Sequence, residues 1–297
     1  MTAAGPKRRF AWVLNLDAEL ELSSPAYQAQ TRVMAQLAEF GADARKLLGR
    51  DDRLVEPGWP ERLPSDHAWT GRAWSPTPRA LELLRAAGAT PEPHPDASVL
   101  RRVNHRRFAC ELGGGLPTQR YCSTRAELEA HLEYVPGPWL LKRPLTFAGR
   151  GQVRLYRSPD PAQSAWIEAS LRADGFVVEP LVTPTLEFSL HGFITIDGAF
   201  ELGAPCAQDV SRRGVFRAAR RARSDELSGS EARALLDQGR RVAGALARAG
   251  YFGPFGIDAY RYDCAHGPGF CALSEINARY TMGFLAGFPR HPSELGL

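Results

Sequence analysis

The 297-residue sequence lacks several patterns that mark whole classes of protein. No apolar run approaches the roughly 20 residues that a helix needs to span a bilayer. Lys7, Arg8 and Arg9 precede an apolar stretch, but acidic residues interrupt that stretch and no small-residue cleavage site follows it. A secretory signal peptide is therefore not expected. These absences predict a cytoplasmic protein.

Cysteine is scarce and forms no recognisable framework. The chain has five cysteines, an odd number, and no C-x-x-C, so disulfides are not expected to hold the fold together. Cys264, His266 and Cys271 lie close together in sequence and leave a zinc site open as an alternative. We favour a glycine- and proline-rich hairpin loop there, because structural zinc sites usually show paired C-x₂₋₄-C knuckles.

Lysine is rarer still, and two common nucleotide-binding motifs are missing. Lysine occurs only at positions 7, 46 and 142, so nearly all cationic side chains are arginine. The net charge of +4 is too small to imply nucleic acid by itself. Neither G-x-x-x-x-G-K-[ST] nor a G-x-G-x-x-G after the first strand is present. A P-loop and a dinucleotide fold are therefore not supported.

What is present begins with an alternation of strand and helix signals. The length suits about two or three domain-sized units. A strand is predicted over residues 10–16, a helix after it ends at Gly41, and residues 50–75 read as irregular. Residues 1–95 therefore predict a small α/β domain. The proline-rich stretch 90–95 is a stiff linker and a predicted boundary.

The rest of the chain predicts a mixture of helices and hairpins. One helix is expected over residues 98–112, and capping boxes at Thr124 and Ser228 open two more. Strands at residues 139–143 and 152–156 flank a glycine-rich segment, which is typical of a hairpin.

Lys142 ends one strand of that hairpin, directly before the glycine-rich tip. A phosphate site needs a fixed positive charge and backbone N–H groups that approach closely, and glycines permit that approach. The alternative is an ordinary turn with a neighbouring lysine.

Two carboxylates, Glu179 and Glu187, flank a predicted bend between strands. In a nucleotide hinge, backbone amides contact the base and a carboxylate accepts hydrogen bonds from the ribose. The alternative is a pair of exposed acids at strand ends.

Three oxygen-bearing side chains lie near the ends of the last two predicted strands. Asp258 is on one strand, and Glu275 and Asn277 share a face of the next because they differ by two positions. Carboxylate and amide oxygens suit hard cations such as Mg²⁺. The alternative is a polar edge hairpin, but apolar neighbours favour a buried site.

Taken in this order, the three features resemble the ATP-grasp superfamily over about residues 98–285. The resemblance implies an α+β fold in which two lobes, residues 96–180 and 181–297, clasp ATP behind the N-terminal domain. It also implies ATP and Mg²⁺ (or Mn²⁺) as cofactors.

The resemblance assigns roles to individual residues. The expected nucleotide-binding residues are Lys142, Phe147, Ala148, Gly149, Gly151, Glu179, Pro180, Leu181, Val182 and Glu187. The expected metal ligands are Asp258, Glu275 and Asn277. A further phosphate contact falls to Arg106 or Arg107, and spacing favours Arg107. Lys142 and Arg279 are the expected catalytic residues, with a solvated surface arginine as the alternative for Arg279.

The reaction implied by the resemblance is ATP-dependent ligation of a carboxylate to an amine through an acylphosphate. Small-molecule substrates of the amino acid or peptide class are expected, with no membrane or nucleic-acid partner and a homodimer possible. Gly256 stands where the D-alanine ligase branch has arginine, which argues against a D-alanine substrate. The alternatives are an ATP-grasp kinase and a non-catalytic ATP-binding module.

Residues 211–223 contain six arginines and suggest a third alternative, an RNA-binding protein. That alternative predicts interleaved aromatics, and only Phe216 is there. A mobile loop that closes over an anionic substrate is the preferred interpretation of this stretch.

Overall fold

The computed structural model describes residues 9–24, 26–28, 31–58, 62–65, 67–146, 150–210, 216–264 and 267–296. The expected nucleotide contacts Phe147, Ala148 and Gly149 lie outside these ranges, as do residues 211–215. Strands and helices are numbered below in chain order.

The first sheet is parallel and has four strands in the order β2-β1-β3-β4. Its strands are β1 (Arg9–Val13), β2 (Arg53–Leu54), β3 (Trp69–Ala73) and β4 (Thr90–Pro91). Three helices connect or cover them: α1 (Ala18–Ser23), α2 (Thr31–Ala44) and α3 (Pro78–Ala86). The parallel sheet with its connecting helices is the α/β arrangement expected for this part of the chain.

Two local predictions in this region were wrong. The helix expected to end at Gly41 continues to Ala44, because nothing at Gly41 forces a left-handed stop. Residues 50–75 are not wholly irregular, since they contain β2 and β3. Four of the five β3 residues are buried, and both faces of the sheet are covered there. No polar–apolar alternation in the sequence therefore marked this strand.

The second sheet is antiparallel, with the order β5-β8-β6-β7. Its strands are β5 (Arg120–Cys122), β6 (Trp139–Lys142), β7 (Gln152–Leu155) and β8 (Phe176–Pro180). The helices before and within it are α4 (Ala97–Asn104), α5 (Arg106–Leu112), α6 (Arg125–Tyr134) and α7 (Pro161–Ala173). The expected hairpin is confirmed, and Thr124 forms the expected capping box.

The single helix expected over residues 98–112 is two helices. His105 separates α4 from α5 with extended backbone angles (φ −72°, ψ 127°), and its side chain accepts a hydrogen bond from the Arg107 N–H. The break changes the direction of every side chain in α5 relative to a continuous helix. The break at His105 therefore decides which arginine of α5 reaches the cavity between the second and third sheets.

The third sheet has six strands, five of them in the order β12-β11-β9-β13-β14, with β10 paired to β9. The strands are β9 (Thr183–Ile194), β10 (Phe200–Leu202), β11 (Cys206–Val210), β12 (Phe216–Arg221), β13 (Gly253–Cys264) and β14 (Gly267–Asn277). Two helices, α8 (Gly229–Arg248) and α9 (Phe284–Gly287), and short 3₁₀ turns at Arg45–Leu47 and Pro292–Glu294 complete the fold.

The main core lies between α8 and this third sheet. Leu235, Val242 and Leu246 of α8 are fully buried against β9 and β14, as the helical periodicity predicts. Residues 216–221 of the arginine-rich stretch form the edge strand β12 rather than a loop. Among the described residues, no helix is both long and apolar enough to cross a bilayer.

Candidate active site

A cavity of about 350 Å³ lies where the second and third sheets meet, with α5 and the end of β14 closing it. Two cationic side chains reach it from the second sheet and α5, and the acidic side chains, with Arg279, reach it from the third sheet. The charged and amide side chains that line it are Arg106, Lys142, Glu187, Gln208, Asp258, Glu275, Asn277 and Arg279. All the expected metal ligands and both expected catalytic residues are therefore in one place.

Lys142 supplies one of the two cations on the second-sheet side. Its Nζ lies 2.5 Å from Glu179 Oε1, and both side chains are nearly buried. Gln119 Nε2 donates to the other Glu179 oxygen at 3.1 Å. Glu179 thus fixes Lys142 at the cavity, and this buried carboxylate is not an exposed strand-end acid.

The expected hinge follows Glu179 directly. The Leu181 N–H donates to the carbonyl of Pro138 at 2.8 Å. Val182 packs against a small cluster that contains Leu116 and Tyr260. The hinge therefore presents an apolar wall beside the charged cavity, and the Leu181 N–H is already bonded within the protein.

The described part of the glycine-rich tip begins again at Arg150. Gly151 has a φ of 66°, which other residues adopt at a cost, and its carbonyl accepts a hydrogen bond from the Arg143 N–H at 2.9 Å. A Cβ at this position would lie 2.5 Å from Thr146 Cγ2. The glycine is therefore required by the way the hairpin tip folds back on its first strand.

Strand pairing brings the acids together. Asp258 of β13 lies opposite Glu275 of β14, and the neighbouring Tyr260 lies opposite Glu187 of β9. Asn277 Nδ2 donates to Asp258 Oδ2 at 2.8 Å, and Gln208 Nε2 donates to Oδ1 at 2.9 Å. The acids therefore share one face of the third sheet.

Burial and mutual repulsion perturb these acids. Burial, followed by the Glu275 charge, raises the pKa of Asp258 to about 6, although the two amide donors oppose the rise. Burial and then the Asp258 charge raise the pKa of Glu187, which Lys142 lowers. Glu187 therefore lies within the influence of both the cationic and the acidic side of the cavity.

The two arginines of α5 lie in different places. Arg106 is 8% exposed, and its Nη2 lies 2.8 Å from Glu275 Oε1. Its Nη1 donates to the Thr146 hydroxyl at 2.7 Å. The Arg107 side chain is 56% exposed and pairs with Glu111 in a separate groove. The structure places Arg106, and not the favoured Arg107, at the cavity.

Arg279 is held from three directions. Nη2 donates to Asn277 Oδ1 at 3.0 Å, and Nε is bonded to Glu19, which follows the first strand of the chain. The guanidinium lies 5.3 Å from the ring centroid of Trp74. Its side chain is 15% exposed, so it is not the solvated surface arginine that was the alternative.

Three residues at the site were not foreseen: Gln208, Glu19 and His191. His191 is buried between the hydroxyls of Ser189 and Thr281, at 3.0 and 2.9 Å, and burial lowers its pKa to about 4. It is therefore neutral at pH 7. None of the three could be identified from its neighbours in the sequence. Each contacts the site through a residue that is distant along the chain.

The residues present fit a divalent cation of the Mg²⁺ type. Among the described side chains, no three or more from His, Cys, Asp and Glu form a metal-holding group. Asp258 and Glu275 with the amide of Asn277 are instead a mixed oxygen set, which suits an ion that keeps several waters. Burial, and then repulsion by Glu275, raise the pKa of Asp258, and such a cation would offset both effects. His266 of the suggested zinc site lies outside the described residues.

Comparison with known proteins shows the fold. No family model and no curated protein matches the chain. The structure of D-alanyl-alanine synthetase A from Vibrio cholerae matches at 12% identity, with 99% of this chain and 95% of that chain covered and a TM-score of 0.55. Biotin carboxylase from Campylobacter jejuni matches at 11% identity, with 93% and 66% covered and a TM-score of 0.57.

N5-carboxyaminoimidazole synthetase from Staphylococcus aureus, complexed with ADP, also matches. Its identity is 12%, the match covers 93% of this chain and 72% of that chain, and the TM-score is 0.52. At such identities the likeness concerns the fold alone. It confirms the ATP-grasp fold that the sequence resemblance implied.

Proposed function

Starting from a chain that has the ATP-grasp fold, we propose an ATP-dependent ligase that joins a carboxylate to an amine and releases ADP and phosphate. The observation that carries the proposal is the charge arrangement of the cavity. Lys142 and Arg106 reach it from one side, and Asp258 and Glu275 from the other. A nucleoside triphosphate with its metal ion needs cationic side chains for its phosphates and acidic side chains for the metal, close together.

The nucleotide would lie along the second sheet. Lys142 would contact the phosphates beside Gly151 of the hairpin tip, and the nucleotide contacts of Phe147, Ala148 and Gly149 stay predictions because these residues lie outside the described ranges. The base and ribose site would consist of Glu179, Pro180, Leu181, Val182 and Glu187. The apolar cluster beside Val182 supports this placement. Arg106 replaces Arg107 as the second phosphate contact, because only Arg106 lines the cavity.

Asp258, Glu275 and Asn277 would hold the metal. Bound Mg²⁺ neutralises phosphate charge and holds phosphate oxygens in place. Arg106 already bonds Glu275, so the guanidinium orients this carboxylate before any ligand arrives. Asn277 contacts both Asp258 and Arg279, which links the metal ligands to the proposed catalytic arginine.

The reaction has two steps. An oxygen of the substrate carboxylate bonds to the γ-phosphorus while the bond to the β–γ bridging oxygen breaks, and ADP leaves. The amine nitrogen then attacks the acyl carbon, phosphate leaves with the acyl–oxygen electron pair, and a proton is lost from nitrogen. Lys142, Arg106 and Arg279 stabilise the charge that develops on the transferring group. Their burial strengthens that effect.

ADP formation from Mg-ATP tests the proposal. The purified chain is incubated with pooled amino acids, short peptides and small carboxylic acids, alongside Glu275→Gln and the control Glu111→Gln. Glu111 is an exposed acid that pairs with Arg107 outside the cavity. We expect substrate-dependent ADP in the wild type and in Glu111→Gln, and loss by about a hundredfold or more in Glu275→Gln.

The product decides the reaction class. Mass spectrometry should find an amide whose mass equals acid plus amine minus water. A phosphate ester on a hydroxyl would show a kinase instead. Equal turnover in Glu275→Gln and the wild type would contradict the proposed role of the acidic side.

A further inference from the structure

A second cavity, of about 560 Å³, lies in the N-terminal part of the chain. It opens at the carboxyl ends of β1 and β2, where residues 13–17 and 54–57 line it, with α2 and α3 as further walls. Open parallel sheets commonly bind ligands at this end of their strands. The volume lies in the range of small-molecule sites, about 300–1,000 Å³.

The walls of this cavity are mostly apolar. Apolar side chains, among them Leu14, Leu16, Leu37, Val55 and Leu83, outnumber the polar ones in its lining. A ligand that fits would therefore have an apolar body, because polar atoms against these walls would lose their water without new partners. The few charged groups at the cavity then decide which polar group the ligand carries.

Most of those charged groups already have partners. Glu21 accepts hydrogen bonds from the Thr77 hydroxyl at 2.7 Å and from the Arg79 N–H at 3.0 Å. Arg45 Nη2 pairs with Glu56 at 2.8 Å, and both are well exposed. The Arg79 side chain is exposed at the rim. These groups need no ligand to complete their interactions.

Asp17 differs from them. It is 6% exposed and lines the cavity, yet no arginine or lysine of the described residues forms an ion pair with it. Asp17 also stands at the N-cap of α1, but its side chain makes no capping hydrogen bond there. Burial and then the Asp17 charge raise the pKa of Tyr27 to about 12, so the carboxylate lies close to that hydroxyl.

We propose that this N-terminal cavity binds a small molecule with an apolar body and one protonated amine, and that Asp17 pairs with the amine. A buried carboxylate without a paired cation gains most from a ligand that supplies one. Leu16 lines both this cavity and the active-site cavity. We take this ligand to be the amine substrate of the ligation, which rests on the proposed function. The binding site itself does not rest on it.

Calorimetry with three probes of one shape tests the site on the full chain, without nucleotide or metal. Phenethylamine is a cation, 2-phenylethanol is neutral and 3-phenylpropanoate is an anion. We expect phenethylamine to bind about tenfold or more tightly than the alcohol, because an ion pair with the carboxylate replaces a hydrogen bond from an uncharged donor. The anion should bind most weakly.

Two variants identify the residues. Asp17→Asn should bring phenethylamine to the affinity of the alcohol. Asp43→Asn, which changes an exposed aspartate that pairs with Lys46, should leave it unchanged. Leu83→Trp should weaken all three probes by filling the cavity, with far-UV circular dichroism to confirm that the variant is folded.

Three results would overturn the proposal: no binding of phenethylamine to folded wild type, equal affinity for amine and alcohol, or tighter binding of the anion. Because no nucleotide is present, none of these results bears on the proposed ATP site. Mg-ADP binding, measured on the same sample, reports on that site separately.

Discussion

Asp258 lies half-buried between two amide side chains and opposite Glu275, and its pKa of about 6 is well above the ordinary 3.8. A carboxyl group whose pKa is higher in the folded state binds its proton more tightly there than in the unfolded chain. Its ionisation therefore destabilises the fold. The penalty is full above pH 6 and absent below about pH 4, the ordinary range of an aspartate pKa.

Replacing Asp258 by Asn should therefore stabilise the protein in the absence of ligands. We expect the free energy of unfolding at pH 7 to rise by about 1–3 kcal/mol. The gain should fade between pH 6 and pH 4, because the wild-type carboxyl group is then protonated in the folded state. Urea unfolding at several pH values measures it. A gain of the same size at pH 4 would show that charge is not its cause.

Arg106 and Arg107 are adjacent in sequence but have opposite surroundings. Arg106→Ala should weaken Mg-ADP binding by about tenfold or more, because a buried, charge-assisted contact is lost. Arg107→Ala should change it by less than about twofold, as expected for an exposed pair. Isothermal titration gives both values. If Arg107→Ala proved the more damaging, the direction of α5 in this account would be wrong.

At the scale of the element, α8 depends on a cap that is visible in the sequence. The Ser228 hydroxyl accepts from the Glu231 N–H, and the Glu231 carboxylate reaches back to the Ser228 N–H. Ser228→Ala should lower the free energy of unfolding by about 1 kcal/mol. The neighbouring exposed Ser230, whose hydroxyl lies 3.1 Å from that of Ser228, is the control, since its replacement by Ala leaves both cap hydrogen bonds in place. Mg-ADP affinity should stay unchanged in both variants.

Some elements could be predicted because their signals are local. The hairpin of β6 and β7 follows from a glycine-rich turn between two apolar runs, and the capping boxes follow from a four-residue spacing. The break at His105 has no such signal, because the residue carries neither proline nor glycine chemistry. The preference for Arg107 was based on spacing within one predicted helix, whereas in the structure the helix is broken at His105 and Arg106 lines the cavity.

At the scale of the whole molecule, the site depends on contacts between distant parts of the chain. Glu19 follows the first strand, yet it bonds Arg279 after the last one. Arg72 of β3 is buried, pairs with Glu92 at 2.7 Å, and donates to the carbonyl of Leu295 at 3.0 Å. The sequence resemblance named Lys142 and the acids that line this one cavity. It could not show that the N-terminal part would hold the proposed catalytic arginine.

We propose that the cavity between the second and third sheets binds a magnesium nucleotide through a lysine that Glu179 holds in place. Mg-ADP affinity of Lys142→Ala, measured against Lys46→Ala by isothermal titration, tests it most directly. Lys46 is an exposed lysine that pairs with Asp43. We expect Lys46→Ala to bind like the wild type and Lys142→Ala to bind about tenfold or more weakly. A wild type that binds no Mg-ADP, or a Lys142→Ala variant that binds it equally well, would contradict the account.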